Sequence, residues 1–469
     1  MASSRKEYLF EPFKVTKVKY RGSVCPRPRS GHRIVCDDVN IYCFGGYNPY
    51  LPLHTIQSNS PTWTPAMPLF KELWSFSLAT RKWTEHKVVE NMPEELASNA
   101  MCMNGRFLMV YYLNVYIVMV ICYVHHNHNP LTAHCSGPNA TILTSNIGDY
   151  STKKGRYEKG ERRGEMSINP PFLEKRIIKK KIINYYLLQI FGGTGAPFGT
   201  KCSNDVIIWR SCSGDAKLEI LDVTGPRPPG QYGQTILCYD GHFYTIGGTN
   251  GFAYNCDIYR FPVFIGTGQE GEPLGRYRHE VARVGSKFYI IGGGTGEWAF
   301  ELMEIPMYDL ETNTWTRLIP KADDSMKDAK VPLPRKCHSA VQVDTPSGSQ
   351  VFVAGGTDGQ GVFDDIWRLN ISDMQWHLMQ KTVLPHPLYF HSSTVTSSGC
   401  MYVFGGIEPK DSETRRNNVL YKVWLCIPQL SEICWEALLS LYPSMDQVDR
   451  PSLVNLGIPR YLVDRLHPQ

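Results

Sequence analysis

Phe288-Tyr289-Ile290-Ile291-Gly292-Gly293 is a short apolar run that ends in two glycines, and the same design occurs five more times along the chain. The others are IYCFGG (41–46), LQIFGG (188–193), FYTIGG (243–248), VFVAGG (351–356) and MYVFGG (401–406). Such β-branched and aromatic runs read as strands, and the doublet supplies a tight backbone at φ values a side chain would forbid. Four of the five intervals between doublets measure 45 to 63 residues. Four short strands in a period of roughly fifty residues mean a β-propeller rather than a helical solenoid. One four-stranded blade cannot bury its own faces, so blades must stack around an axis. Aromatic pairs downstream of the doublets are expected to brace the blades: Trp74 with Trp83, Tyr308 with Trp315, Trp367 with Trp376. The blades around Trp209 and Tyr259 lack the second Trp, so their outer strands are not announced.

Run, doublet and later aromatics together resemble the kelch repeat. The expected fold is all-β: a six-bladed kelch-type propeller over 1–425, closed by pairing Tyr8 to Val18 with Leu420 to Trp424, then a short α-helical tail over 426–469.

The fifth interval, Gly46 to Gly193, is 147 residues long. GRFLMV, ending at Val110, reads as the second strand of a blade cut just before its doublet, with the continuation at Phe191-Gly192-Gly193. Residues 111–190 differ in composition, with runs such as KKKIINYY, and carry eleven Lys and Arg against five Asp and Glu. That leaves the insert at +6 and the rest of the chain at −1, so the overall charge of +5 belongs to the insert and is no sign of nucleic-acid binding. Phe107 to Val124 is apolar and long enough to span a bilayer. A single span there would place blades on opposite sides of a membrane, through which no ring can close, so no membrane role is expected. The basic cluster Lys175, Arg176, Lys179, Lys180 and Lys181 reads as a solvated run or a nuclear address. The preferred reading of the insert is translated intron sequence or a gene-model error.

The tail holds Leu430-xxx-Cys434-xxx-Leu438 and then Ile458-Pro459-xx-Leu462-xxx-Leu466. Each run places apolar side chains one helical turn apart. Pro428 and Pro459 stand where a helix can begin without losing a hydrogen bond. Asp449 with Pro451 reads as a third start, for a turn of helix ending at Gly457. The plain reading is a helical cap on the propeller. Both boxes, in this order, resemble the elongin-binding and cullin-2 boxes of substrate receptors in cullin-2 ubiquitin ligases. Gln429, where that family usually has a small residue or proline, is a departure. The resemblance implies contact with elongin B and elongin C through Leu430, Cys434 and Leu438. It further implies contact with cullin-2 and its RING subunit through Ile458, Pro459, Leu462 and Leu466.

Chemistry-bearing motifs are sparse. Gly266-x-Gly268-xx-Gly271 is followed by Pro273 and Gly275 rather than a helix, so it lacks the geometry that cradles a dinucleotide phosphate. His125, His126 and His128 lie in the insert and make a poor metal site. There is no P-loop, nucleophile elbow or paired-carboxylate spacing, so no enzyme activity, cofactor or metal is expected of this chain. Fourteen cysteines without a C-x-x-C pair, and no signal peptide, fit a cytoplasmic or nuclear location.

In a propeller blade the segment before the first strand and the loop after the doublet open on one face. Here the pre-strand segments repeat a basic pattern: Arg29 with His32, Arg276 with Arg278 and His279, Arg335 with His338, and His391, with Tyr232 at the matching place in another blade. The post-doublet loops add Phe198, Phe252 and Trp298. The structural reading is that the His and Arg bond neighbouring blades. The functional reading is a basic and aromatic cup. The receptor resemblance implies that this cup reads C-terminal ends of substrate proteins, with Arg276, Arg278 or Arg335 pairing the terminal carboxylate. The competing class is a kelch scaffold for cytoskeletal or signalling partners.

Overall fold

A computed structural model describes residues 8–51, 68–86, 97–112, 115–119, 142–144, 184–210, 217–221, 227–261, 263–266, 271–325, 330–410 and 413–467. The chain divides into two compact units, 1–104 with 188–469, and 105–187.

The larger unit is a propeller of six antiparallel blades. Blade 1 is built from strands Arg33–Cys36, Asn40–Phe44, Leu73–Ser77 and Trp83–His86. Blade 3 uses Thr235–Tyr239, His242–Thr249, Tyr254–Arg260 and Val263–Gly266. Blade 4 uses Glu280–Val284, Lys287–Ile291, Ile305–Asp309 and Thr314–Leu318. Blade 5 uses Ser339–Thr345, Gly348–Ala354, Ile366–Asn370 and Gln375–Leu378. In blade 6, Ser392–Val395, Cys400–Phe404 and Leu420–Trp424 are completed by Thr16–Lys17 from the chain's beginning. Thr16 stands opposite Lys422 and Lys17 opposite Tyr421. Phe13 N–H to Trp424 O and Val18 N–H to Leu420 O extend this closure at 2.9 and 2.8 Å.

Blade 2 corrects one expectation. Its first strand starts at Ala100 and runs on to Tyr112, and its second strand is Asn184–Phe191, not GRFLMV. The reason is the doublet: only residues that run directly into Gly192-Gly193 can place it beside the next blade. Outer strands Val206–Arg210 and Lys217–Leu221 form although no second Trp marks them, as does Val263–Gly266 in blade 3. In the smaller unit, Leu108 to Tyr112 pair with Val115–Met119, and Ile117 to Met119 with Ile142–Thr144. The described parts of the apolar stretch are therefore strands, and no helix among the described residues is long and apolar enough to cross a membrane. Lys175, Arg176, Lys179, Lys180, Lys181, His125, His126 and His128 lie outside the described residues, as does Gly268.

The second strands are apolar at nearly every position because neighbouring blades cover both their faces. Phe288, Tyr289, Ile290 and Ile291 are all buried, as are Ile41 to Phe44 and Met401 to Phe404. Tyr308 packs on Trp315 and Trp367 on Trp376, with ring centroids 5.0 and 6.4 Å apart. In blade 1, Trp83 stands across from Phe76, and Trp74 stands across from Glu85.

Both glycines of every doublet have positive φ, from 58° to 125°. The repeated polar residue after each pre-strand turn explains why no side chain fits. A Cβ on Gly247 would stand 2.7 Å from His279 Cε1 in the next blade, and one on Gly248 would stand 3.1 Å from Gln234 Cβ in its own. His338 meets Gly292 and Gly356 in the same way, and His391 meets Gly355 and Gly406. Each doublet is the socket that one blade offers the next.

Around the axis runs a closed belt of six backbone hydrogen bonds. Gly31 donates to Phe390, Phe390 to Cys337, Cys337 to Arg278, Arg278 to Gly233, Gly233 to Ser98, and Ser98 back to Gly31, at 2.7 to 3.2 Å. All six residues are left-handed, with φ between 55° and 68°. Ser98 brings blade 2 into the belt despite the insert that interrupts that blade.

The tail comprises α1 (Leu430–Leu441), a 3-10 turn (Pro443–Gln447), α2 (Arg450–Asn455) and α3 (Arg460–Leu466). Asp449 caps α2 by accepting from Ser452 N–H at 3.0 Å, Gly457 follows it with φ +84°, and Pro459 is the N-cap of α3. Trp435, Met445, Leu453, Leu462, Val463 and Leu466 form a core shared with Ala79 of blade 1.

Candidate functional site

Residues before each first strand pair with residues after each doublet, through bridges Ser30 to Tyr47, Ala97 to Thr194, Tyr232 to Thr249, Tyr277 to Gly294, Lys336 to Thr357 and Tyr389 to Ile407. These two sets of loops therefore share one face of the ring, as the strand directions require. Neighbouring loops touch in series. Tyr47 packs on Phe198 at 4.6 Å, Gly199 lies against Gly251, and Tyr254 Oη accepts from Gly296 N–H at 2.8 Å. Lys336 Nζ then donates to Thr295 O and Gly296 O at 2.7 and 2.9 Å. The result is a wall with aromatic side chains, of which Phe252, Tyr50 and Trp298 are the most open, at 90%, 78% and 66% exposed. Tyr232 lies in the wall, half-buried, beside Tyr277.

The basic residues separate into two kinds. Arg29, Arg276 and Arg335 are buried clamps. Each donates to the carbonyl of the first glycine of its own doublet, Gly45, Gly292 and Gly355, at 3.0 Å. Each also stacks over a phenylalanine: Phe70, Phe300 and Phe363. Arg29 is paired with Glu72, and Arg335 with both oxygens of Asp365. His32, His279, His338 and His391 are buried in the doublet sockets. His32 Nε2 lies 3.1 Å from Phe404 O, and His391 Nε2 lies 2.9 Å from Ser339 Oγ. Burial lowers the pKa of His279 to about 3 and of His391 to about 4, and holds His32 and His338 well below the ordinary range. Four neutral imidazoles between blades fit the structural reading of those positions.

Arg278 is different. Like Arg276 it is buried with no carboxylate partner among the described residues, but unlike Arg276 it has no bond to a doublet carbonyl to hold its charge. Its Nη2 donates to Ser98 Oγ of blade 2, its guanidinium lies 4.7 Å over Phe390 of blade 6, and its Nε has no partner. A Cβ on Gly31 of blade 1 would stand 3.1 Å from its Nη2. Reaching three blades from a fourth, the group lies over the axis at the floor of the cup. Burial lowers its pKa from the ordinary arginine value, as expected for a cation that has given up water without gaining an anion.

The sequence reading missed a second such group. The loop after Gly406 is a hairpin, Ile407–Lys410 with Glu413–Arg416, and it brings Arg416 Nε to 2.9 Å from Ser30 Oγ. Its guanidinium lies 5.2 Å over Tyr47 and 5.8 Å over Tyr50, and burial lowers its pKa also. Arg278 and Arg416 thus flank Ser30-Gly31. Neither fills the repeating basic position; for Arg278 that departure is readable in the sequence, whereas Arg416 is placed only by the fold of its hairpin.

In the tail, Leu430 is 72% exposed and Cys434 is exposed beside it, with Leu441 and Tyr442 continuing the open face. Leu438 is half-buried against the tail core. Pro459 is exposed and Ile458 half-buried, whereas Leu462 and Leu466 are buried in that core. Glu436 bolts α1 to the ring by accepting from Lys422 Nζ at 2.6 Å, Trp424 Nε1 at 3.2 Å and Tyr8 Oη at 3.0 Å. Burial opposes its ionisation, but Lys422 and these hydrogen bonds outweigh burial and hold the carboxyl below its ordinary pKa. Among the described residues, no cluster of His, Cys, Asp and Glu is arranged to hold a metal ion.

Doublet sockets, four-stranded blades and a belt closed after six of them define a kelch-repeat propeller, a class of interaction domain. Residues 267–436 match the family described as the KLHDC2/KLHL20/DRC7 Kelch-repeats domain. The chain is 34% identical over its whole length to the kelch domain-containing protein 10 homolog of Drosophila melanogaster, covering 67% of that protein. It is 32% identical to kelch domain-containing protein 10 of Mus musculus, over 95% of this chain and 82% of the relative. The human protein of that name is 31% identical, over 95% of this chain and 81% of the relative. The chain belongs to the kelch domain-containing protein 10 family.

Proposed function

We propose that this chain is the substrate-recognition subunit of a cullin-2 RING ubiquitin ligase. Its cup takes C-terminal ends of substrate proteins, and its tail takes elongin B, elongin C and cullin-2, in the cytoplasm or nucleus. The observation that carries the reading is Arg278: a buried guanidinium without a carboxylate, at the floor of a walled cup, beside Arg416. A terminal carboxylate has two oxygens, and a planar guanidinium can pair both. An internal peptide offers only neutral carbonyls there and leaves the buried charge uncompensated, which gives selectivity for chain ends. The open face of Leu430 and Cys434, on a helix anchored by Glu436, supports the adaptor half of the reading.

The burial of Leu462 and Leu466 favours the second reading, a scaffold whose tail only caps the ring. The deciding experiment is co-purification of the full chain, and of a form lacking 111–190, with elongin B, elongin C and cullin-2. A double variant, Leu430→Ala with Cys434→Ala, runs beside them. A complex lost in the variant is expected. No complex with any form would leave the scaffold.

A further inference from the structure

Cys102 and Cys238 lie on the first strands of blades 2 and 3, and their Sγ atoms are 3.4 Å apart. Both sulfurs converge on Gln189 Oε1, at 3.6 Å from Cys102 and 2.9 Å from Cys238. Each residue is partly exposed, but the Cys102 thiol itself is buried, so the oxidant has to be small and neutral to reach the pair. We propose that Cys102 and Cys238 are an oxidisable dithiol, a modification site at which hydroperoxide converts two thiols into a disulfide that staples blade 2 to blade 3.

The step balances with one equivalent of peroxide. A thiolate attacks a peroxide oxygen and forms a sulfenic acid, releasing hydroxide, which takes up the thiol proton as water. The second sulfur then attacks the sulfenic sulfur, forming the S–S bond and expelling a second water. The sulfurs need to close by a little over 1 Å to reach a bond of roughly 2.05 Å, a shift within reach of side-chain rotation. The contact with Cys238 pushes the Cys102 thiol above its ordinary range, so the reaction should quicken as pH rises. The same seam already carries Gln234 Nε2 to Phe191 O at 2.8 Å and the belt bond from Gly233 to Ser98 at 2.9 Å. The staple would add a covalent tie further along the same two strands.

The test treats the folded full chain with hydrogen peroxide at pH 7 and pH 8.5, blocks remaining thiols with N-ethylmaleimide, and maps linked peptides by mass spectrometry. A urea-unfolded sample is the reference, since its fourteen cysteines pair without structural guidance. The Cys102–Cys238 peptide should be the dominant link in the folded sample and form faster at pH 8.5. It should be several-fold enriched over the unfolded sample, and the melting temperature of the oxidised chain should rise. Cys102→Ser and Cys238→Ser, checked for native circular dichroism, should each lose both the link and the shift. The proposal is overturned if the folded chain gives only single-site sulfinic acids, or gives this link no more often than the unfolded chain does.

Discussion

Arg33 and Glu280 meet across the axis of the propeller, Nη1 to Oε1 at 2.6 Å, from the first strands of blades 1 and 4. In a ring of six these blades are diametrically opposite. The pair crosses a channel of about 220 Å³ lined by the first strands of all six blades. Below the floor at Arg278 the axis is therefore barred, and whatever enters the cup stops there.

Breaking that bar should cost stability. Both side chains are mostly buried, so Arg33→Met or Glu280→Gln alone leaves a charge uncompensated. We expect each to lower the unfolding free energy by about 1–3 kcal/mol, short of the full cost of a dry ion pair because the channel is polar. The double variant should lose less than the sum of the two. Urea unfolding of all three tests this, and strict additivity would mean the two groups do not sense each other.

The doublets predict a contrast between glycines of similar φ. Gly247 and Gly285 sit at +61° and +59°, but only Gly247 faces a side chain, His279. Gly285→Ala should cost about 1 kcal/mol from backbone strain alone. Gly247→Ala must also displace the imidazole and should cost roughly 3 kcal/mol or more. Equal losses in chemical denaturation would show that the socket does not depend on its fit.

The neutral histidines make stability fall with acid. Unfolded, His279 and His391 take up protons near pH 6.5; folded, they resist until about 3 and about 4. Between those limits the unfolded state binds more protons, so stability drops as pH falls, by about 1.4 kcal/mol per pH unit for each such group. Gln234 occupies the same socket in blade 3 without titrating. His391→Gln should therefore flatten the slope of unfolding free energy between pH 6.5 and 4.5. An unchanged slope would place the proton uptake elsewhere.

Substitutions at the two kinds of arginine should separate binding from folding. Arg278→Met and Arg416→Met should weaken capture of peptides with a free C-terminus tenfold or more, while capping the carboxylate as an amide should do the same to the parent protein. Arg335→Met should instead cost stability, because it strands Asp365 and frees Gly355 O. Calorimetry with free and amidated peptides, beside melting curves, checks both halves.

Much of this fold was legible because its signals are local and repeated. The doublets mark where second strands end, and the closing pairing of the N-terminal segment with Leu420–Trp424 follows from the need to complete blade 6. The second strand of blade 2 was misplaced because GRFLMV has the right pattern, and only the doublet's position relative to its neighbours selects 184–191 instead. The site was harder. Arg29, Arg276 and Arg335 stand three residues before a histidine and become clamps, whereas Arg278 stands immediately before one and joins the belt. Residue type does not separate them; the repeat does, since the clamp recurs in three blades and Arg278 in none but its own. Arg416 was invisible because its place depends on a hairpin that folds back over blade 1, which no local pattern encodes.

The belt gives the molecule a circular order that its linear chain does not have. Every link runs in the same sense, each blade lending a donor to one neighbour and an acceptor to the other, so no blade is first or last. The meeting of the two chain segments in blade 6 is then a matter of bookkeeping in the polypeptide, and the belt imposes no cost on placing the break in another blade. An interruption inside blade 2 leaves the belt whole on the same ground: the link that blade contributes is Ser98, which precedes both of its inner strands, and the doublet at Gly192-Gly193 follows them.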